Sequence, residues 1–364
     1  MNELENARQI INEVDTEMAK LFEKRMRAAE MVAHYKKENG LPILDSARED
    51  EIISKGAKRI EDSALREYYV NFLKDTMKVS KQYQSRLIEG MKVAYCGTEG
   101  AFAHIATKKI FPSAVSVAYH DFPSVYEAVV NGDCDAAVLP VENSYNGEVG
   151  QVTDLVFSGS LYINSMLELG VSQAMLGTKD SELADIKNVV SHPQALGQCA
   201  EFIRMNGLTT HEYTNTALAA KHVAEKGDKS FAAIASEEAA EIFGLKVLAK
   251  NINASKSNTT RFADLSRSEN IPSANKMDVY SVLLVTVKHE AGSLAKALDI
   301  IGAYGFNMRT LRSRPMKELL WQYYFYIELE GNIHTDEGQE MLRGLSACCD
   351  RLKMAGTFTK QEQS

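Results

Sequence analysis

Two groups of side chains in this sequence of 364 residues have the types and spacing to handle a small anion. Arg25 sits on a seven-residue stripe between Met18 and Val32, where an apolar side chain is expected. Lys36 follows eleven residues later, close to three helical turns, so both cations point the same way. Ser80 and Gln84, at i and i+4, share a face of another helix. The second group is Thr260-Arg261-Phe262, which ends the polar run "NASKSNTT" on a hydroxyl, a cation and an aromatic. Guanidinium forks grip carboxylates, and amines and amides donate to developing oxyanions. A threonine of ordinary pKa is a poor general acid, so it orients or relays a proton. Each residue alone has a plainer explanation: a snorkelling arginine, a solvated Ser/Gln pair, a turn.

Three compositions must position these groups. Residues 1–89 hold only Gly40, Gly56 and Pro42 as breakers and read as helix. Leu4, Ile11, Met18, Arg25 and Val32 recur every seven residues, with Ala7, Val14, Leu21 and Ala28 between them, which predicts a long helix packed along another. Ser46 with Glu49 fits a capping box opening a second helix, and a third runs over about 65–87. Three such helices bury little surface, which predicts an intertwined dimer.

Over 91–270, short apolar runs ("MKVAYCG", "DAAVLPVENS", "INSMLELGVSQAMLG", "KNVVSH", "FAAIAS") alternate with helical stretches at 103–110, 123–131, 193–206, 215–226 and 236–243. The pattern predicts an α/β module of two lobes around a cleft. After "SENIPSANK", which reads as a linker, residues 278–356 give strand, helix, strand, strand, helix and a weak last strand, an α+β ferredoxin-like order. The fold class is thus multidomain: an all-α dimer module, a two-lobed α/β module, and a ferredoxin-like domain.

A net charge of −8 gives no support for nucleic acid as a partner. Five cysteines without metal-ligand spacing read as reduced thiols, and the N-terminus "MNELENARQI" does not resemble a targeting peptide. Apolar stretches are too short to span a bilayer. The expectation is a cytoplasmic protein with no membrane partner and no metal.

The helical segment resembles the all-helical chorismate mutases, through "NARQIINEVD", "EKRMRAAEMVAHYKK", "DSARED" and "SKQYQ". By that resemblance Arg8, Arg25, Lys36, Arg48, Glu49, Ser80 and Gln84 occupy substrate-binding positions, with Asp45 beside them. It implies that Lys36 and Gln84 are catalytic donors to the ether oxygen, that Glu49 accepts from the ring hydroxyl, and that Arg8 reaches into the partner's site.

The middle segment resembles prephenate dehydratases. "GTEGAFAHIA", "LPVENSYNGEV", "SHPQALGQC", "NTALAAKHVA", "AAIASEEAAEIFGLKVL" and "NTTRF" occur in that family's order. The matching positions are Gly97, Thr98, Gly100, Glu142, Asn143, Ser144, Gly147, Ser191, His192, Gln198, Thr216, Thr260, Arg261 and Phe262. The resemblance implies that Thr260 is catalytic and that the polar run is a loop delivering a hydroxyl and a cation into the cleft. Arg261 would anchor a carboxylate, and Glu142 or His192 would supply the proton.

Residues 279–355 resemble ACT domains, which bind amino acids at dimer interfaces, through "HEAGSLAKAL" and "FNMRTLRSRP". Gly292, Ser293, Leu294, Asn307, Ser313, Arg314 and Pro315 would line an effector site for L-phenylalanine. Arg312 stands where these dehydratases usually carry the glutamate of Glu-Ser-Arg-Pro. The whole chain thus resembles bifunctional chorismate mutase–prephenate dehydratases, which implies chorismate and prephenate as substrates, no cofactor, and a homodimer or homotetramer. An arogenate dehydratase or a non-catalytic sensor is the alternative.

Overall fold

The computed structural model describes residues 2–254, 258–273, 278–316 and 322–360. Part of the expected linker, at 274–277, lies outside the described residues, as do 255–257 of the polar run. Two compact units result, Met1–Lys92 and Val93–Ser364.

The first unit is helical: α1 (Glu3–Glu38), α2 (Ser46–Ala57) and α3 (Arg66–Glu89). The 36 residues of α1 make a rod ~54 Å long. It opens with a capping box, in which Asn2 accepts from the Glu5 amide and Glu5 accepts from the Asn2 amide. The predicted Ser46–Glu49 box is not what starts α2. Asp45 is the cap, its carboxylate accepting from the Arg48 amide at 3.0 Å. Helix α1 packs on α3, burying Ala29, Ala33 and Met77. Most of the seven-residue stripe stays uncovered within the protomer: Leu4 is 58% exposed and Leu21 63%.

The second unit begins with β1 (Lys92–Cys96), α4 (Phe102–Ile110), β2 (Val115–Tyr119), α5 (Phe122–Asn131), β3 (Ala136–Asn143), β4 (Gly147–Glu148), α6 (Gly150–Ser158) and β5 (Tyr162–Gly170). The chain then crosses to a second lobe made of β6 (Ala174–Gly177), β7 (Asn188–Ser191), α7 (Pro193–Gln198), α8 (Ala200–Met205), β8 (Thr209–Glu212), α9 (Thr216–Lys226), β9 (Phe231–Ala235), α10 (Glu237–Phe243) and β10 (Lys246–Ala249). It returns as β11 (Thr259–Ser266). The apolar run 163–177 is therefore two strands in two sheets, and 193–206 is two helices broken at the buried Cys199.

The rest is β12 (Val279–Val287), α11 (Ser293–Ala303), β13 (Asn307–Pro315), β14 (Tyr323–Glu330), α12 (Asp336–Cys348) and β15 (Cys349–Lys360), in the predicted order. Their antiparallel order β13-β14-β12-β15 continues into the first lobe as β5-β11-β3-β1-β2, while the second lobe has its own sheet, β10-β6-β9-β7-β8. The last strand is not weak: it runs 12 residues, and Thr359 registers against Ser165 of β5. Gly356 permits this approach, because a Cβ there would overlap the Ile163 carbonyl. The C-terminal module and the first lobe thus share one sheet.

Candidate active sites

Within the helical unit, a cavity of about 300 Å³ is lined by Arg25, Lys36, Asp45, Arg48, Glu49, Ser80 and Gln84 together with Ala29, Val32 and Met77. Arg25, Ala29, Val32 and Lys36 follow one another at helical spacing along the face of α1 that meets α3. Seven of the eight expected positions meet here. Arg8 does not, since it lies 17 residues before Arg25 on the same helix, ~26 Å along the axis.

Local partners hold these side chains in place. Arg25 donates to Ser80 Oγ and to the Thr76 carbonyl, and burial lowers its pKa from the ordinary guanidinium value. Lys36 donates to the Ile43 carbonyl. Arg48 pairs with Glu51, and Asp45 serves as helix cap. Glu49 is held by Lys81 at 2.9 Å, a lining cation that the sequence reading missed. Its signal was present, because Lys81 lies three residues before Gln84 on the same face. Gln84 is 8% exposed, and its buried Oε1 has no hydrogen-bond partner. A buried amide oxygen left unpaired is costly, so the site is shaped for a polar guest.

Between the lobes of the second unit, a cavity of about 240 Å³ gathers Asn143, Asn258 and Thr260 from the first lobe and His192, Gln198 and Thr216 from the second. Phe102 opens α4 at this wall, and Asn215 caps α9 here by accepting from the Leu218 amide at 2.7 Å. Val171 and Gln173 on the β5–β6 crossover complete it. Thr260 is on β11, not on a loop as expected, and is 9% exposed. Asn143 Nδ2 donates to Thr260 Oγ1 at 2.9 Å and to Asn258 Oδ1 at 2.8 Å. The Asn143 oxygen accepts from the amides of Tyr145 and Asn146. This side chain fixes the Thr260 hydroxyl and leaves the hydroxyl's own proton available to donate.

Several expected residues are elsewhere, and for Arg261 and Glu142 the reason is that strand neighbours face opposite ways. Arg261 points away from Thr260 and pairs with the fully buried Glu328 at 2.9 Å and with Glu142 at 3.4 Å. Burial opposes the Arg261 charge, but the hydrogen bond and the negative charge of Glu328, with Tyr326 and Glu142 behind them, together outweigh it and raise the pKa. Glu142 is turned to the same side and bonded to Arg312. Burial by itself would raise its carboxyl, but the Arg312 contact, with Arg261 behind it, holds it below the usual carboxylate value. Glu142 is therefore not a proton source for Thr260, and Arg261 is not a carboxylate anchor in the cleft. Phe262 is a core residue at 3% exposure. Ser191 is buried and donates to the Ile234 carbonyl, while Ser144 accepts from the Thr259 amide. Thr98 is outside the lining, with its hydroxyl buried and unpartnered. The lining contains no arginine or lysine, so positive potential comes from the starts of α4 and α9.

The expected effector residues do not form one pocket within a protomer. Gly292 caps α11 at φ +83°, followed by Ser293 and Leu294. Asn307 bonds Glu330 at one end of β13, and Ser313, Arg314 and Pro315 lie at the other, ~26 Å away. Arg314 is bound to Asp154 at 3.0 Å, and Pro315 borders a cavity of about 280 Å³ with Phe157, Tyr324 and Arg351. No helix among the described residues is long and apolar enough to cross a membrane.

Comparison with known proteins assigns a family to each segment. The chorismate mutase type II family model matches residues 7–85, and the prephenate dehydratase model matches 93–270. Arogenate dehydratase/prephenate dehydratase 2 of Arabidopsis thaliana is 32% identical over 277 residues, 74% of this chain and 72% of its own. A bifunctional chorismate mutase/prephenate dehydratase of Buchnera aphidicola is 28% identical over 375 residues, covering 99% of this chain and 97% of its own. Among solved structures, prephenate dehydratase from Arthrobacter aurescens in complex with L-Phe superposes with a TM-score of 0.68 at 25% identity, over 75% of this chain and 92% of that one. GqqA, described as a quorum-quenching acylase, gives 0.69 at 30% identity over 74% and 98%. Two family models in tandem, with relatives of the same two-part build, make the chain a member of the bifunctional chorismate mutase/prephenate dehydratase family, an isomerase and a lyase of phenylalanine biosynthesis on one polypeptide.

Proposed function

We propose that the two cavities divide the two reactions, chorismate to prephenate in the helical unit and prephenate to phenylpyruvate in the interlobe cleft. Chorismate is a dianion whose rearrangement needs neither nucleophile nor proton transfer. Holding the compact conformer and stabilising charge on the ether oxygen suffice. Arg25 and Arg48 take carboxylates, Lys36 and Gln84 donate to the ether oxygen, and Glu49, steered by Lys81, accepts from the ring hydroxyl. Arg8 completes the site of a second copy. The uncovered stripe of α1 supports that assembly, since it is apolar and a partner helix would cover it.

In the cleft, prephenate loses carbon dioxide and hydroxide from opposite ring carbons, with aromatisation as the driving force. Thr260 donates to the departing hydroxyl while Asn143 holds its oxygen. The starts of α4 and α9 attract the carboxylates, and His192 is the titratable lining residue placed to move a proton. The amide-rich, arginine-free wall lets the ring carboxylate shed solvation without being locked by a salt bridge. L-Phenylalanine, bound at the C-terminal modules of an assembled dimer or tetramer, restrains the dehydratase as end product. The observation that carries the reading is the Asn143–Thr260 pair inside the interlobe cleft, on a chain whose helical unit gathers seven of the eight expected mutase positions. The test is direct: purified protein given chorismate must release phenylpyruvate, read by its absorbance in base. Arogenate in place of prephenate, read as phenylalanine formed, measures the preference between the two substrates.

A further inference from the structure

The contact between the C-terminal module and the first lobe is charged, and it lies directly behind the catalytic pair. Three arginines of β13 face the lobe: Arg309 toward Glu168, Arg312 onto Glu142, and Arg314 onto Asp154 and Glu148. Arg312 is distinctive, because Glu142 is the residue before Asn143. At that point β3 carries a bulge: Arg261 registers with Glu142 but Phe262 registers with Pro140, so Val141 is the extra residue. Bulges re-aim the side chains that follow them. Here the side chain that follows is the Asn143 amide, which donates to Thr260 Oγ1 at 2.9 Å. The bulged end is held on one face by the Asn143 bonds and on the other by Glu142, gripped by Arg312 and, more loosely, by Arg261 at 3.4 Å.

We propose that Arg312 is a positioning residue for dehydration: through Glu142 it fixes the bulged end of β3, and with it the aim of Asn143 on Thr260. The C-terminal module thereby contributes to the chemistry in the absence of any effector. Arg261 cannot substitute for Arg312, because its bidentate contact is with Glu328 at 2.9–3.0 Å. Glu142 without Arg312 is a half-buried carboxylate with one long ion pair, free to draw the strand end toward solvent.

The inference rests on the dehydratase reading of the cleft, and wild-type turnover of prephenate checks that reading independently. The test is steady-state kinetics of Arg312→Ala, Arg312→Lys and Glu142→Gln in the full chain. Misaiming a catalytic group by a fraction of an ångström to one ångström lowers turnover by about 10- to 100-fold. Arg312→Ala is expected to show a loss of that size in dehydratase kcat, with KM within about threefold of wild type. Arg312→Lys, which keeps the charge, recovers most of the rate. Glu142→Gln loses rate alone, and adding Arg312→Ala to it costs little more, as expected for one shared contact. Wild-type kcat in Arg312→Ala, or a change confined to KM, overturns the proposal. If Arg312→Ala fails to fold, a wild-type dehydratase kcat in Glu142→Gln overturns it as well.

Discussion

Thr260 and Arg261 are neighbours in the chain and opposites in space, and the same holds for Asn143 and Glu142. The members of each pair that reach the cleft are neutral, and the members that reach the C-terminal module are charged. Residue types and motif order made all four recognisable, but not which face each took. A one-residue bulge and the alternation of a strand decide that, and neither is written in a motif. In the helical site Arg25, Lys36, Ser80 and Gln84 were legible because a 3.6-residue period converts spacing directly into direction, whereas Arg48, Glu49 and Asp45 came only with the resemblance to chorismate mutases. Lys81 did not stand out, because a lysine on a helix face is ordinarily solvated and only its ion pair with Glu49 from α2 turns it into the cavity. Lys36 gives the clearest check at this scale. Lys36→Ala is expected to cost the mutase about 3–4 kcal/mol of transition-state stabilisation, the scale of one positioned oxyanion donor, and to leave prephenate turnover unchanged. Mutase and dehydratase kcat/KM measured on the same preparation decide it.

At the level of elements, β11 carries the Thr260 hydroxyl at one end and a buried acid further along the same face. Asp264 is 8% exposed, its Oδ1 has no hydrogen-bond partner, and burial raises its pKa to about 7. The unfolded chain releases this proton near pH 4. Between those values the folded state keeps a proton that the unfolded state loses, so stability falls as pH rises from about 4 to 7. Above pH 7 the full penalty remains. Asp264→Asn removes the titration, so the variant is expected to be more stable than wild type at pH 8, by up to about 4 kcal/mol. Its advantage fades toward pH 4. Denaturant midpoints at both ends of that range give the difference, and an equal gap at pH 8 and pH 5 contradicts the assignment. The elements themselves were largely readable: helix α1, the strand–helix alternation and the C-terminal order all follow from period and breakers. The split of 163–177 into β5 and β6 was not, because a continuous apolar run does not mark where a strand leaves one sheet for another.

For the whole molecule, the sequence suggests three bodies, whereas the C-terminal module and the first lobe form one sheet across β15 and β5. A shared sheet with a charged seam joins the C-terminal module to the strand that carries Thr260. Phenylalanine is expected to inhibit the dehydratase of the full chain and to leave the mutase untouched, with a coupling of about 1–3 kcal/mol. Titration calorimetry alongside both assays reads it, and millimolar phenylalanine without heat or inhibition would leave the module with a purely structural role. Arg312 is bonded to Glu142, so any influence it has on inhibition is expected to run through β3 and not through a direct contact with an effector's ammonium group.

The independence of the two sites is what most sharply distinguishes this enzyme from a single-function relative, and Thr260→Ala measures it in one experiment. With chorismate as the only substrate, prephenate should accumulate at the wild-type rate while phenylpyruvate formation falls by about 10²-fold or more, the usual scale for losing one group that acts in the transition state. Phenylpyruvate released at the wild-type rate would take Thr260 out of the mechanism and contradict the assignment of dehydration to the interlobe cleft.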